Sequence, residues 1–572
     1  MKSISLFLPL VFLVACTPTD PSTSGSIIRY DRIHHPVVAN AGMVVSQSAL
    51  ASDVGREVLA KGGNAVDAAI ATGFALAVTL PRAGNIGGSG FMLVHLADTD
   101  KTLAFDFRSA APLGFDLEQY RNAEGKIDTK ALTYGPHVSG VPGTVAGFYH
   151  VWQRYGSLPW ENLLAPAVTL ANEGFVVSDD LAFALENSSP TFRRFPSSAK
   201  SFLKRDGSVY LPGDVIRQQD LARSLAQIST GGADAFYRGR LGQRIVEGVQ
   251  AEGGYFSLED FEAYQPKQRE VIKTQYRGYQ VLSMPPVSGG GLALLQMLNV
   301  LAEFDVSRYP QGSADSVHLL AEVMKRGAAN RRVGIGDPDF VNVPVKGFLS
   351  SRLAKQIAAE ISMEQARPTS EIESFKAEQY ESRDTTHFSV VDQFGNAVST
   401  TYTLGYSFGS GFVPPGTGIL LDNQIRNFSL NRPDQANAIA PGKRMASSMT
   451  PTIVLDSRGD VKLVTGSPGG SRIINVVLQI LVNVLDYDMN IAEASAAPRV
   501  YQSWRGAPLY LEPGFSVDTQ EILLGRGHKL ISQQTMGSTQ SISVEAGLFF
   551  GAADSRRPGA GASGLQLLAD EQ

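Results

Sequence analysis

The chain has 572 residues, of which 43% are hydrophobic and 18% charged, with a formal net charge of -5. That length exceeds what one hydrophobic core usually serves, so two or more lobes are expected. The charge balance, with no dense basic run, excludes an electrostatic fit to nucleic acid and gives no reason for binding an anionic membrane.

Met1-Lys2 is a short positive start, and Ile4 to Ala15 is an apolar run too short to span a bilayer. The only cysteine, Cys16, follows in Leu13-Val14-Ala15-Cys16, so no intrachain disulfide can form. This box looks like a bacterial lipoprotein cleavage site, with an ordinary signal peptide or a buried cysteine as the alternatives. Residues 1–16 then form the signal peptide, and the polar, Pro/Ser/Thr-rich residues 17–26 form a tether. The expected location is periplasmic, with the chain lipid-anchored to a bacterial membrane.

Ser46 to Leu80 reads as two helices. Ser52-Asp53 caps the first, Gly62-Gly63 ends it, and Asn64 caps an apolar, buried second helix from Ala65. Asn85-Ile86-Gly87-Gly88-Ser89-Gly90 lacks the Gly-Lys-Ser/Thr of a phosphate loop and reads as close backbone packing. Phe91–Val94 and Thr102–Phe107 are strands, the latter ending at Arg108. Residues 140–340 read as mostly helical, including Leu292–Leu301 after a Gly run. Met363–Arg383 is polar and reads as an exposed segment suited to cleavage.

At Asp384-Thr385-Thr386-His387 the pattern changes. Phe388–Asp392 and Ala397–Thr403 are strand-like, and Gln393-Phe394-Gly395-Asn396 between them is turn chemistry. A threonine opening such a strand becomes a self-contained nucleophile–base pair if the chain is cut just before it. His387 lies two residues on and faces the same side of the strand; it could serve as a base, but its placement further along the strand than a freed amine favours a structural or supporting role. Further strands are read at Thr452–Leu455, Lys462–Thr465 and Ser541–Val544, with a helix over Ile473–Val484. The whole reads as α+β or a layered αββα arrangement.

The run Thr385-Thr386-His387-Phe388-Ser389-Val390-Val391-Asp392, then Gly395-Asn396-Ala397-Val398 and Thr401-Tyr402-Thr403, resembles the γ-glutamyltranspeptidase family. So do Gly466-Ser467-Pro468-Gly469-Gly470-Ser471-Arg472, Ser139–Thr144 and Met536–Ser541. The resemblance covers nearly all of the chain from about Val45. It implies the N-terminal-nucleophile hydrolase fold, with sheets between helical layers. It also implies cleavage at Asp384–Thr385 into a large subunit (27–384) and a small catalytic one (385–572) that stay together as a heterodimer. Thr385 is then the nucleophile and Thr403 supports it during processing. Gly469 and Gly470, which follow Pro468 in a turn able to aim backbone N–H groups, stabilise the oxyanion. Arg108 clamps the substrate carboxylate with Ser447 and Ser448, and Gln424 lines the pocket.

Two positions depart from the family pattern. Asn427 stands where γ-glutamyl-processing members have an aspartate for the substrate ammonium, and Gly405 stands where an asparagine is expected. The loop Ser429–Arg444 is too short to cover the pocket, so an open site is expected. Three readings follow. The first is a γ-glutamyltransferase/glutathione hydrolase that passes the acyl group to water, an amino acid or a peptide. The second is a glutaryl-type amide acylase of the cephalosporin-acylase kind, and the third a non-catalytic surface binding lipoprotein. No metal or cofactor is expected, since the eight histidines are scattered without ligand spacing.

Overall fold

The computed structural model of the chain describes residues 33–331, 334–372, 384–504 and 506–567. Cys16 and the tether 17–26 lie outside the described residues, as do residues 373–383 of the segment before Thr385. The described part of that segment is not uniformly exposed, because Ala366 and Thr369 are buried.

The hairpin read from the sequence forms the centre of the fold. Its strands, Asp384–Asp392 and Ala397–Gly405, are longer than the sequence indicates, and Gly395 turns between them at φ 85°. Gly42–Ser46 pairs along one side of the hairpin and Ser89–Leu96 along the other. Lys101–Phe107 and Lys267–Arg269 extend one edge and Gly561–Gly564 closes the other, giving a seven-stranded antiparallel sheet. A second seven-stranded antiparallel sheet runs Val37–Ala39, Leu548–Ala553, Gln540–Glu545, Val461–Thr465, Thr452–Leu455, Tyr279–Ser283 and Ile272–Tyr276.

Strand alternation assigns the two faces of the hairpin. Phe388, Val390, Val398 and Tyr402 pack outward against helices Ala49–Ala60 and Ala65–Thr79. Ser389 and Ser399 point between the sheets, where their hydroxyls donate to the carbonyls of Gln540 (2.8 Å) and Thr465 (3.2 Å). Helices Gly289–Leu301, Ala314–Asn330 and Ile473–Leu485 belong to the core on the second sheet. The order is therefore αββα, as the resemblance implied.

Ala65–Thr79 is buried at every position, and it starts at a capping box in which Asn64 and Asp67 exchange hydrogen bonds. The first helix departs from the sequence reading. It starts at Ala49, so Ser52 and Asp53 lie inside it, and Ser52 Oγ instead donates to the Gly561 carbonyl at 2.8 Å. The glycine run does serve close packing, since a Cβ at Gly88 would lie 2.4 Å from the Thr403 carbonyl oxygen. Among the described residues, no helix is long and apolar enough to cross a membrane.

Candidate active site

Thr385 sits where the hairpin ladder breaks. Asp384 pairs with Gly405 and Thr386 with Tyr402, so the register shifts across Thr385. Such irregularities re-aim a side chain out of the regular pleat. The Thr385 hydroxyl donates to Thr403 Oγ at 3.3 Å, and the Thr403 hydroxyl donates to the Asp384 carbonyl at 2.7 Å. The Gly405 N–H donates to Thr403 Oγ at 2.9 Å and fixes that hydroxyl. Two threonines and the carbonyl of the Asp384–Thr385 bond thus form one hydrogen-bonded group, and all three are at least half-buried.

Thr385, Thr403, Arg108, Gln424, Asn427, Ser447, Ser448 and Gly470 line one pocket, with Arg331 at its edge. Gly469 lines the adjoining cavity. Gly469 and Gly470 have φ of 128° and 60°, backbone that side-chain-bearing residues rarely adopt, which is why a Gly pair occupies this turn.

Arg108 follows the strand Lys101–Phe107 and is fully buried. Its Nη1 donates to Gln424 Oε1 and, at 3.2 Å, to Ser89 Oγ, while Nη2 is buried with no partner among the described residues. Burial pulls its pKa down to about 10, against the pull of Asp422 and Asp106, so it stays charged at neutral pH. Gln424 Nε2 donates to Asp422 Oδ2 (2.8 Å) and to Ser89 Oγ (2.7 Å). Gln424 therefore lines the pocket and also acts as a strut that holds Arg108. Burial pushes the Asp422 carboxyl up to about 6, although Ser109, the Gly140 N–H and Gln424 all donate to it.

The two departures from the family pattern have local structural consequences. Asn427 Oδ1 is buried and lacks a hydrogen-bond partner among the described residues. Gly405, at φ 100°, could not carry an asparagine as the site stands. A Cβ there would fall 2.1 Å from Asn423 Oδ1, which accepts the Tyr406 N–H at 2.9 Å. The loop after Ser429 folds back on itself: Asn437 Nδ2 donates to the Asn427 carbonyl and Lys443 Nζ to the carbonyls of Ala436 and Ala438.

His387 is buried away from the Thr385 hydroxyl. Its Nδ1 shares a hydrogen bond with Thr401 (2.8 Å) and its Nε2 with Ser389 (3.1 Å). Gly466 makes room for the ring, since a Cβ there would lie 2.4 Å from it. The sequence did not bring out Arg331, Asp422, Ser89 or Ser109, which are distant in the chain and polar in unremarkable contexts. It also gave no sign of a buried cluster of His318, Glu322 and His528, whose ligand atoms lie within 4.8 Å of one another. Glu322 there is bound to Lys325 and Arg326, and His318 Nδ1 lies 2.8 Å from His528 Nε2. These atoms hydrogen-bond one another and two cations.

An αββα sandwich with a threonine opening its central hairpin beside an arginine-floored pocket is an N-terminal-nucleophile hydrolase fold. A sequence profile described as gamma-glutamyltranspeptidase matches residues 51–564, and the chain belongs to that family. The chain is 44% identical over 555 residues to the glutathione hydrolase proenzyme of Escherichia coli K12, covering 95% of both chains. It is 37% identical to an acylase ACY 1 proenzyme of Pseudomonas sp. strain SE83, over 92% of this chain and 94% of that one. The crystal structure of a cephalosporin acylase from Bacillus halodurans superposes with a TM-score of 0.84 at 29% identity, covering 96% of this chain and 99% of that one.

Burial holds the His387 imidazole neutral, with its pKa pushed from 6.5 down to about 3. A pKa depressed on folding gives stability that is present above the unfolded value and lost as pH falls toward the folded one. Wild type should therefore lose stability below about pH 6.5 more steeply than His387→Gln, by up to about 1.4 kcal/mol per pH unit. Equilibrium unfolding from pH 7 to 4 measures both slopes, and equal slopes would mean a charged His387 in the folded chain.

Proposed function

We infer that the chain is a self-processing γ-glutamyltransferase and glutathione hydrolase working through an N-terminal threonine. The hydrogen bond from the Thr403 hydroxyl to the Asp384 carbonyl, beside the Thr385 hydroxyl, carries this reading. While the chain is continuous, the Thr385 nitrogen is an amide and cannot act as a base. Attack of Thr385 Oγ on the Asp384 carbonyl carbon forms an ester and breaks the C–N bond, and the hydroxyl proton passes to the nitrogen. Thr403 donates to the oxygen that gains charge. Water then hydrolyses the ester, leaving a carboxylate on Asp384 and a free amine on Thr385.

In the mature enzyme that amine takes the proton from its own hydroxyl as Thr385 Oγ attacks the substrate's γ-carbonyl. The backbone N–H groups of Gly469 and Gly470 receive the oxyanion. Arg108, with an Nη2 that no described residue engages, takes the α-carboxylate, assisted by Ser447 and Ser448. Asn427 Oδ1 accepts an N–H of the α-ammonium. Water or an acceptor amine then resolves the acyl-enzyme.

A second reading rests on Asn427. A neutral amide forms no ion pair with an ammonium, so selection against a glutaryl-type acyl group lacking one is weak. The acylase relatives are in keeping with that relaxed specificity. A purely binding role would leave the Thr385–Thr403–Asp384 group without use. We also propose a periplasmic location with a lipid anchor at Cys16, supported by the Leu-Val-Ala-Cys box alone.

Denaturing gels with N-terminal sequencing should show a fragment starting at Thr385. Thr385→Ala should stay uncut, and Thr403→Val should slow cleavage by roughly 10²–10³, as for loss of one oxyanion donor. A wild type that stays full-length yet active would overturn the mechanism. Asn427→Asp should raise kcat/KM for a γ-glutamyl anilide over its glutaryl analogue by roughly ten- to a hundredfold, the worth of a charge-assisted hydrogen bond. Arg108→Ala should weaken both substrates alike, and an unchanged ratio in Asn427→Asp would place the ammonium elsewhere. Labelled fatty acid should enter wild type but not Cys16→Ala, and an unlabelled wild type would refute anchoring.

A further inference from the structure

Asp422 is fully buried, and no step of the proposed reaction uses it. It directly precedes Asn423 and the short 3₁₀ turn Gln424–Asn427, and its backbone N–H donates to the Gly87 carbonyl at 3.1 Å. Four hydrogen bonds end on its carboxylate. Oδ1 accepts the backbone N–H of Gly140 at 2.9 Å and that of Gln424 at 3.3 Å. Oδ2 accepts the Ser109 hydroxyl and, at 2.8 Å, Gln424 Nε2. An ionised carboxylate can only accept, and these four donors fill the lone-pair sites it has. Burial raises its pKa no further than about 6, so the group is ionised at neutral pH.

These bonds decide which way the Gln424 amide faces. Its Nε2 also lies 3.3 Å from the Thr403 carbonyl oxygen, a second group that can only accept. The amide nitrogen must therefore face Asp422 and Thr403, and the amide oxygen must face Arg108 Nη1, which can only donate. The reverse direction would set oxygen against two acceptors and nitrogen against a donor. We propose that Asp422 is a positioning residue for substrate binding: it fixes the direction of the Gln424 amide, whose oxygen holds the Arg108 guanidinium with Nη2 left for the substrate carboxylate. The proposal rests on the reading that Arg108 takes that carboxylate, and deepens it. In Asp422→Asn the new amide oxygen must take the Oδ1 place, because the two backbone N–H groups there cannot turn round. The new amide nitrogen then meets Gln424 Nε2, donor against donor. Gln424 must turn over, and its nitrogen meets Arg108 Nη1. Adding Gln424→Glu supplies an acceptor toward both neighbours and returns the lost charge, giving up only the contact with Thr403.

The test measures kcat and KM of the processed enzyme, with each variant checked for cleavage on a gel. For a γ-glutamyl anilide, Asp422→Asn should raise KM by roughly tenfold or more, the worth of a charge-assisted contact, with kcat within about threefold of wild type. The double variant Asp422→Asn/Gln424→Glu should bring KM back to within about threefold of wild type, whereas a merely structural carboxylate would not be replaced by one two residues away. An unchanged KM in Asp422→Asn, a loss confined to kcat, or a double variant no better than the single one would overturn the relay. Should Asp422→Asn fail to fold or process, the double variant still decides: near-wild-type KM supports the relay, and the same failure refutes it. A glutaryl anilide presents its carboxylate to the same arginine. If wild type cleaves it and leaves the γ-glutamyl anilide intact, the γ-glutamyl reading falls, and the glutaryl KM values decide the relay. Cleavage of neither anilide would remove the role of Arg108 and this proposal together.

Discussion

The structure depends above all on where one hydroxyl sits. Thr403 Oγ accepts from Thr385 and from the Gly405 N–H, and donates to the Asp384 carbonyl. A hydroxyl has one proton, and two donors already occupy its lone pairs, so its proton is committed to that carbonyl. Thr403 is held in turn by Ser89 across the ladder and by Gly88, where backbone approaches backbone too closely for a side chain. The glycine run therefore belongs to the chemistry, although it touches no reacting atom.

The same hairpin explains why the two halves of the chain form one body. Both strands flanking it, Gly42–Ser46 and Ser89–Leu96, lie before the Asp384–Thr385 bond, while Gly561–Gly564 returns from the far end to the sheet edge. Thr385, the proposed nucleophile, can be positioned only after the chain on both sides of that bond has folded. After the proposed cleavage of that bond, ladder hydrogen bonds and a shared core would remain to hold the parts together.

The pocket places a charge where water is scarce and surrounds it with fixed partners. Arg108 is fully buried, and Gln424, Ser89 and the backbone carbonyl of Met445 hold all but one face of its guanidinium. Asp106 and Asp422 offset its charge at short range. In the proposed reading, such preorganisation means that a substrate carboxylate meets donors already aimed at it, with little reordering on binding. Asn427 differs: its buried acceptor is neutral, so in the proposed reading the ammonium side of the pocket discriminates by one hydrogen bond instead of by charge.

Local patterns determined a good deal by themselves. Alternation and turn residues marked the 385–403 hairpin, the Asn64 cap started a helix buried all round, and the order of long motifs carried the family. These are near-neighbour effects in which side-chain period, capping and glycine conformation are written in adjacent residues. Strands such as Lys267–Arg269 and Gly561–Gly564 were invisible, because charged or glycine-rich segments become strands only when a partner supplies the ladder. The first helix began three residues before its expected cap, because Ser52 found a partner some five hundred residues away in the chain. Tertiary structure alone decided that the pocket residue Gln424 also holds Arg108 in place, that His387 bonds to Thr401 and Ser389, and that three arginines share one cavity. The energies involved depend on distance and burial, which adjacent residues in a sequence do not encode.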